Sequence, residues 1–132
     1  IRIAAGDKIK TNDVHLSHSI ECRINAENSK NFTPSPGKIN YINIPGGRGV
    51  RVDTAIYTNY NVSPHYDSLV LKLICKAPKR EEAIKIMLRS LNELIIEGID
   101  TNIELHKWIL TQKEFLNGSY STNWLEKVIT KF

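Results

Sequence analysis

The chain has 132 residues, 41% of them hydrophobic and 24% charged, with 7 Gly and 5 Pro; this suffices for one compact domain and excludes collagen-like or disordered composition. Eighteen Lys+Arg against fourteen Asp+Glu leave a net charge of +4. The charges are spread along the chain, which excludes a concentrated basic tract and reads as a solvated mixed-charge surface.

Residue 1 is Ile, with no basic-then-apolar leader ahead of it, so the chain is expected to be processed or part of something longer. Residues 1–5 read as the tail of a helix stopped by Gly6. Residues 19–26 alternate, with Ile20, Cys22, Ile24 and Ala26 opposed to Glu21, Arg23 and Asn25, and predict a half-buried strand. After Pro34, Pro36 and Gly37, residues 38–44 predict a second strand and residues 50–53 a third. The glycine-rich turn Pro45-Gly46-Gly47-Arg48-Gly49 between them predicts a hairpin. Residues 69–76 predict a strand with Leu69, Leu71, Leu73 and Cys75 on one face.

The second half is helical in pattern. Ile84, Met87, Leu88, Leu91, Leu94 and Ile95 predict a helix over 80–97 that starts near Pro78 and stops at Gly98. Thr101-Asn102-Ile103-Glu104 matches a capping box ahead of a helix carrying Leu105, Trp108 and Ile109. Gly118 marks a loop, and Trp124, Leu125, Val128 and Ile129 predict a short terminal helix. Strands first and helices second give an α+β domain, an antiparallel sheet packed with helices. No apolar run approaches the roughly 20 residues needed to span a bilayer, so no membrane partner is expected.

Few residues point to chemistry unaided. Cys22 and Cys75 alternate with aliphatic neighbours and lack a ligand spacing, which predicts buried, reduced thiols in a cytoplasmic protein and no metal site. His15, His18, His65 and His106 form no metal pattern. The cluster at 45–49 could set backbone N–H groups against an anion but lacks a nucleotide-binding spacing. Arg51 follows it on the polar face of a strand, where it could stabilise negative charge or pair with Asp53 or Glu21. Glu21, Arg23 and Glu27 share a face and could do acid–base work or form an ion-pair ladder. Trp108 and Trp124 are expected in the core.

The residues also match a family. Glu21-Cys22-Arg23-Ile24-Asn25-Ala26-Glu27, Pro34-Ser35-Pro36-Gly37-Lys38-Ile39, Pro45-Gly46-Gly47 with Gly49-Val50-Arg51, Tyr66-Asp67-Ser68 with Lys72-Leu73-Ile74, Glu93-Leu94-Ile95-Ile96 with Gly98, and Thr101-Asn102 resemble, in order, the C-terminal domain of biotin carboxylase. The likeness runs from Ile1 to about Lys127. It implies an enzyme that uses ATP and magnesium to activate bicarbonate as carboxyphosphate. The carboxyl group then passes to the ureido nitrogen of biotin on a biotin carboxyl carrier protein. A carboxyltransferase component and a second copy of the enzyme are further implied partners; nucleic acid is not.

The resemblance implies that residues 1–132 are one C-terminal domain, without the N-terminal and ATP-grasp parts and inactive alone. It places Arg51 against biotin and bicarbonate as the catalytic and substrate-binding residue, Thr122 near the adenine edge of ATP, and Arg80 at the dimer contact. Glu21, Arg23 and Asp67 are expected to support the sheet. Ser17, Asn59 and Leu71 stand where the family has glycine, and Arg48 where it has an aromatic or aliphatic residue. A free-standing basic module for anionic ligands or nucleic acid is the alternative.

Overall fold

A computed structural model describes residues 1, 3–8 and 16–132; His15 lies outside the described residues. In chain order the elements are β1 (His18–Asn25), β2 (Gly37–Lys38), β3 (Tyr41–Asn43), β4 (Val50–Thr54), β5 (Asn61–Val62), β6 (Leu69–Ala77), α1 (Arg80–Glu93), β7 (Ile95–Glu97), α2 (Ile103–Thr111), α3 (Lys113–Asn117) and α4 (Trp124–Val128), which runs into a 3-10 turn at Ile129–Lys131. The α+β expectation holds. A three-stranded antiparallel sheet in the order β1-β6-β4 carries α1 on one face.

The alternation of apolar and polar residues builds this layer directly. Cys22 and Ile24 of β1, Leu71, Leu73 and Cys75 of β6, and Ile84, Met87 and Leu91 of α1 are buried together, with Val50 and Val52 of β4 against them. Strand side chains point alternately to the two sides, so the same alternation sends Glu21, Arg23, Arg51 and Asp53 to the opposite, solvent-facing side. A smaller core joins Ala26, Ile39, Ile56 and Val62. Leu71, a departure from the family's glycine, is 1% exposed and fills the main core. Asn59, another departure, has φ 74°, a left-handed backbone that asparagine tolerates.

Several expectations need correction. Residues 38–44 are not one strand. Buried Ile39 passes between two partners: its N–H donates to Tyr60 O (2.9 Å) and its carbonyl accepts from Asn59 N–H (2.7 Å), whereas Asn40 N–H donates to Glu97 O (2.8 Å). β2 therefore pairs with β5 and β3 with β7. The glycine-rich turn does not close a hairpin either, because β4 pairs with β6. Helix α1 ends at Glu93; Leu94 is extended (φ −72°, ψ 114°), and the next three residues form β7. Leu94, Ile95 and Ile96 extend the helical apolar count although their exposure follows a strand, with Leu94 buried and Ile95 exposed.

Gly98 stops no helix. Its φ is 103°, and a β-carbon there would stand 2.2 Å from Lys38 O, so only glycine lets β7 leave beside β2. The capping box is absent: Asn102, not Thr101, precedes α2, and it makes no side-chain cap bond. The expected N-terminal helix tail is only a turn at residues 3–6, where Ala5 N–H donates to Ile1 O (3.0 Å) and Gly6 has φ 93°. Trp108 and Trp124 lie outside the main core. They stack at 6.5 Å in a half-buried group with Phe132 and Tyr120.

Candidate functional site

The solvent-facing side of the three-stranded sheet brings together most of the charged residues singled out above. Register sets its rows. Arg51 lies opposite Ile74, which lies opposite Glu21; Asp53 lies opposite Lys72, which lies opposite Arg23. The ion-pair ladder expected of Glu21, Arg23 and Glu27 is not built, because Arg23 faces a cation across the strand pair. Glu27 lies beyond β1, where it accepts hydrogen bonds from Ser68 Oγ and from Asn25 Nδ2 (3.2 Å). Asp67 accepts from Leu69 N–H (2.8 Å) and holds the start of β6.

Arg51 is exposed, with 72% of its side chain accessible. Its Nε and Nη2 donate to Asp53 Oδ1 (2.8 Å) and Oδ2 (2.9 Å), the two-pronged geometry that only arginine offers a carboxylate. That bond holds the Asp53 carboxyl below the ordinary aspartate range, assisted by the Arg51 and Lys72 charges, and raises the Arg51 guanidinium further. Among the described residues, no carboxylate lies within ion-pair distance of Arg23.

The loop before Arg51 is held from two sides. Gly49 O accepts from Lys76 N–H (2.8 Å), and a β-carbon on Gly49, at φ 78°, would fall 2.4 Å from Lys76 O. Arg89 of α1 donates to Gly46 O (3.2 Å) while its Nη1 binds both oxygens of Glu93 (2.7 and 2.8 Å). Sequence reasoning missed Arg89. Its signal was the Arg–Glu spacing of four on the polar side of a helix, which reads equally as an ordinary surface pair. Arg48 is exposed at the tip of the loop.

Behind β1, Asn102 is 8% exposed. Its Oδ1 accepts from Asn25 N–H (2.9 Å) and its Nδ2 donates to Arg23 O (3.1 Å). His106 Nε2 lies 2.9 Å from the same carbonyl. Burial lowers the His106 pKa, and the bond to Arg23 O opposes that shift.

Arg80 and Thr122 lie apart from this face, on the helical side. Arg80 opens α1, donates to Phe115 O (2.7 Å) and sits 4.9 Å over the Phe115 ring, leaving its Nε buried without a partner. Phe115 stacks on Tyr120 at 5.0 Å. Thr122 is an exposed turn residue between Tyr120 and Trp124, and the residue that precedes α4 is Asn123. Cys22 and Cys75 are buried and unbridged; burial pushes the Cys22 thiol up to about 12. Among the described residues, no three His, Cys, Asp or Glu side chains come together to hold a metal. No helix is long and apolar enough to cross a membrane.

Residues 21–127 match the family described as the biotin carboxylase C-terminal domain. The biotin carboxylase of Pseudomonas aeruginosa is 48% identical over 130 residues, which are 96% of this chain and 29% of the relative. A pyruvate carboxylase subunit from Methanothermobacter thermautotrophicus is 44% identical over 131 residues, 96% of this chain and 27% of that protein. The chain thus spans under a third of the length of the curated relatives it matches. Among solved structures, a biotin carboxylase complex from Campylobacter jejuni superposes with a TM-score of 0.87 at 40% identity, covering 96% of this chain and 29% of that one. The biotin carboxylase domain dimer of the Hydrogenobacter thermophilus 2-oxoglutarate carboxylase, solved with MgADP and bicarbonate, gives 0.87 at 41% identity over the same shares.

Proposed function

This chain belongs to the biotin carboxylase C-terminal domain family, and we propose that it serves as that domain in a biotin-dependent carboxylase. There it would complete the site where bicarbonate, at the expense of ATP, carboxylates biotin on its carrier protein. The observation that carries the reading is the solvent-facing side of the sheet, which presents Arg23, Arg51 and Lys72 in a chain that superposes on that family over 96% of its length. The names of the relatives favour a carboxylase over a free-standing nucleic-acid-binding module. The buried free thiols suit a reducing, cytoplasmic setting.

The chemistry asks for a fixed positive charge. Removing the proton from the ureido nitrogen leaves negative charge on the ring oxygen, and a guanidinium aimed there stabilises that charge more than the neutral ring. Arg51 is given this role on its resemblance to the family's arginine after the glycine-rich loop. One observation favours a second reading, Arg23. Asp53 already occupies two N–H groups of Arg51 and neutralises its charge, whereas the Arg23 guanidinium, on the same face beside Lys72, has no carboxylate within ion-pair distance among the described residues. Two cations opposed across a strand pair repel unless an anion meets them.

In the whole enzyme ATP, bound with magnesium, would supply the phosphoryl group that activates bicarbonate. The described residues lack a cluster of His, Cys, Asp or Glu side chains for the metal, and the chain alone is proposed to be inactive. Thr122, flanked by Tyr120 and Trp124, is proposed to border the adenine. The segment at Lys76–Arg80, Arg80 included, is proposed to meet a second copy. A carboxyltransferase component would take the carboxyl group onward, to acetyl-CoA, pyruvate, propionyl-CoA or a related acceptor.

The test uses the full-length enzyme with Arg51→Ala and, separately, Arg23→Ala, measuring biotin carboxylation beside bicarbonate-dependent ATP cleavage. The variant that removes the acting guanidinium loses carboxylation and keeps residual ATP cleavage. Full carboxylation in both variants would refute the role of this face.

A further inference from the structure

We propose that a groove leading away from the solvent-facing side of the three-stranded sheet, past Tyr66, docks the biotin carrier protein. A lysine or arginine of the carrier sits in the hollow that Tyr60, Tyr66 and Asp67 line; the inference rests on the function proposed above. Three hollows lie end to end. One of about 260 Å3 is lined by Asp53, Thr54 and Lys72, at the charged face itself. It shares Ala55, Leu69 and Val70 with a second of about 190 Å3, which is also lined by Ile56, Tyr60, Tyr66 and Asp67. Tyr66 borders a third as well, of about 150 Å3, walled by Ala26, Pro34, Pro36 and Pro64.

The wall between the hollows is held in place. His65 N–H donates to Ser63 Oγ (3.2 Å) and Asp67 Oδ1 accepts from Leu69 N–H (2.8 Å), so the turn carrying Tyr66 is pinned at both ends. Tyr57 meets Tyr60 edge to face at 5.5 Å. Yet Tyr66 is 84% exposed, and a large ring kept in water beside apolar hollows marks a surface that a partner covers. Charge selects the chemistry of that partner. Among the described residues no cation lies within ion-pair distance of Asp67, which leaves a carboxylate in a hollow that two tyrosines also line. A cation placed there gains both the ion pair and the ring faces. Continuity selects the carrier: biotin linked to it has to reach the charged face, and the carrier surface around the linkage then lies along the groove.

The test uses the full-length enzyme with Tyr66→Ala and Asp67→Asn, each assayed with free biotin and with the biotinylated carrier protein. Asp67→Asn keeps an oxygen for Leu69 N–H and removes only the charge. Truncating a central aromatic anchor should raise KM for the carrier at least about tenfold. Loss of the exposed charge should raise it about two- to fivefold, an effect that shrinks as salt is added. Because a docking contact serves ground and transition states alike, kcat should hold, and the kinetics with free biotin should not change. An unchanged carrier KM in Tyr66→Ala would overturn the docking site, even if that variant shifted self-association of the enzyme instead. Equal losses with free biotin and with the carrier would overturn it too, since the residues would then act on the reaction or the fold. Asp67→Asn without effect at low salt would overturn the cationic side chain. The wild type separates the two levels: if it carboxylates neither form of biotin, the underlying reading falls and the groove with it, whereas carboxylation of both with indifferent variants removes the groove alone.

Discussion

Arg51 and Asp53, two residues apart on β4, are joined by two parallel N–H···O bonds of 2.8 and 2.9 Å. Side chains two apart on a strand share a face, so this pair follows from the local geometry of β4 alone. It fixes the direction of the guanidinium on the solvent side of the sheet.

The pair predicts a titration. The hydrogen bond from Arg51 lowers the Asp53 pKa, so the carboxylate form is favoured in the fold, and its contribution to stability is present above the unfolded pKa and lost as pH falls through the folded value. A carboxylate carbon shift followed by NMR should therefore place Asp53 below free aspartate. Arg51→Ala should return it toward the ordinary value; no movement on that substitution would mean the pair does not form in solution.

Glycine substitutions should separate space from backbone conformation. Gly49→Ala and Gly98→Ala meet carbonyl oxygens at 2.4 and 2.2 Å as well as positive φ, and each is expected to cost at least about 3 kcal/mol, read as a lower denaturant midpoint. Gly118→Ala, at φ 72° with nothing within 4 Å, should cost only the left-handed penalty of about 1–2 kcal/mol.

The two cysteines should be silent toward thiol reagents. Burial holds Cys22 protonated, with its pKa raised to about 12, and burial is also the leading cause of the rise at Cys75. Reaction with a disulfide reagent at neutral pH should be slow in the native chain, and two thiols should react on unfolding. The sign for stability follows: the raised folded pKa contributes fully below the unfolded value of about 9, and stability falls as pH climbs beyond it.

Arg89→Ala removes the bond to Gly46 O and both bonds to Glu93. The site is exposed, so the expected loss of stability is small, about 1 kcal/mol or less. Amide exchange across residues 45–49 should nevertheless quicken; unchanged exchange would show that Gly49 and Lys76 suffice to hold the loop.

The sequence alone determined the layer that matters most here. Strict alternation in β1, β4 and β6 decides which side chains enter the core and which face water, because a strand's faces have a period of two. The faces of Cys22, Leu73, Arg23 and Arg51 were therefore legible, as was the family. Tertiary structure decided the partners. The sequence from Lys38 to Asn43 has enough strand character for one element, and only the positions of Tyr60 and Glu97, brought close from distant parts of the chain, split it between β5 and β7. Leu94 to Ile96 satisfy a helical count and a strand count alike, and pairing with β3 chose between them. Asn102 carried a local capping signal, yet its carboxamide bonds to β1, a partner 77 residues away in the chain. Local patterns fix the direction of a side chain, whereas hydrogen-bond partners depend on which backbone groups the completed fold leaves open nearby.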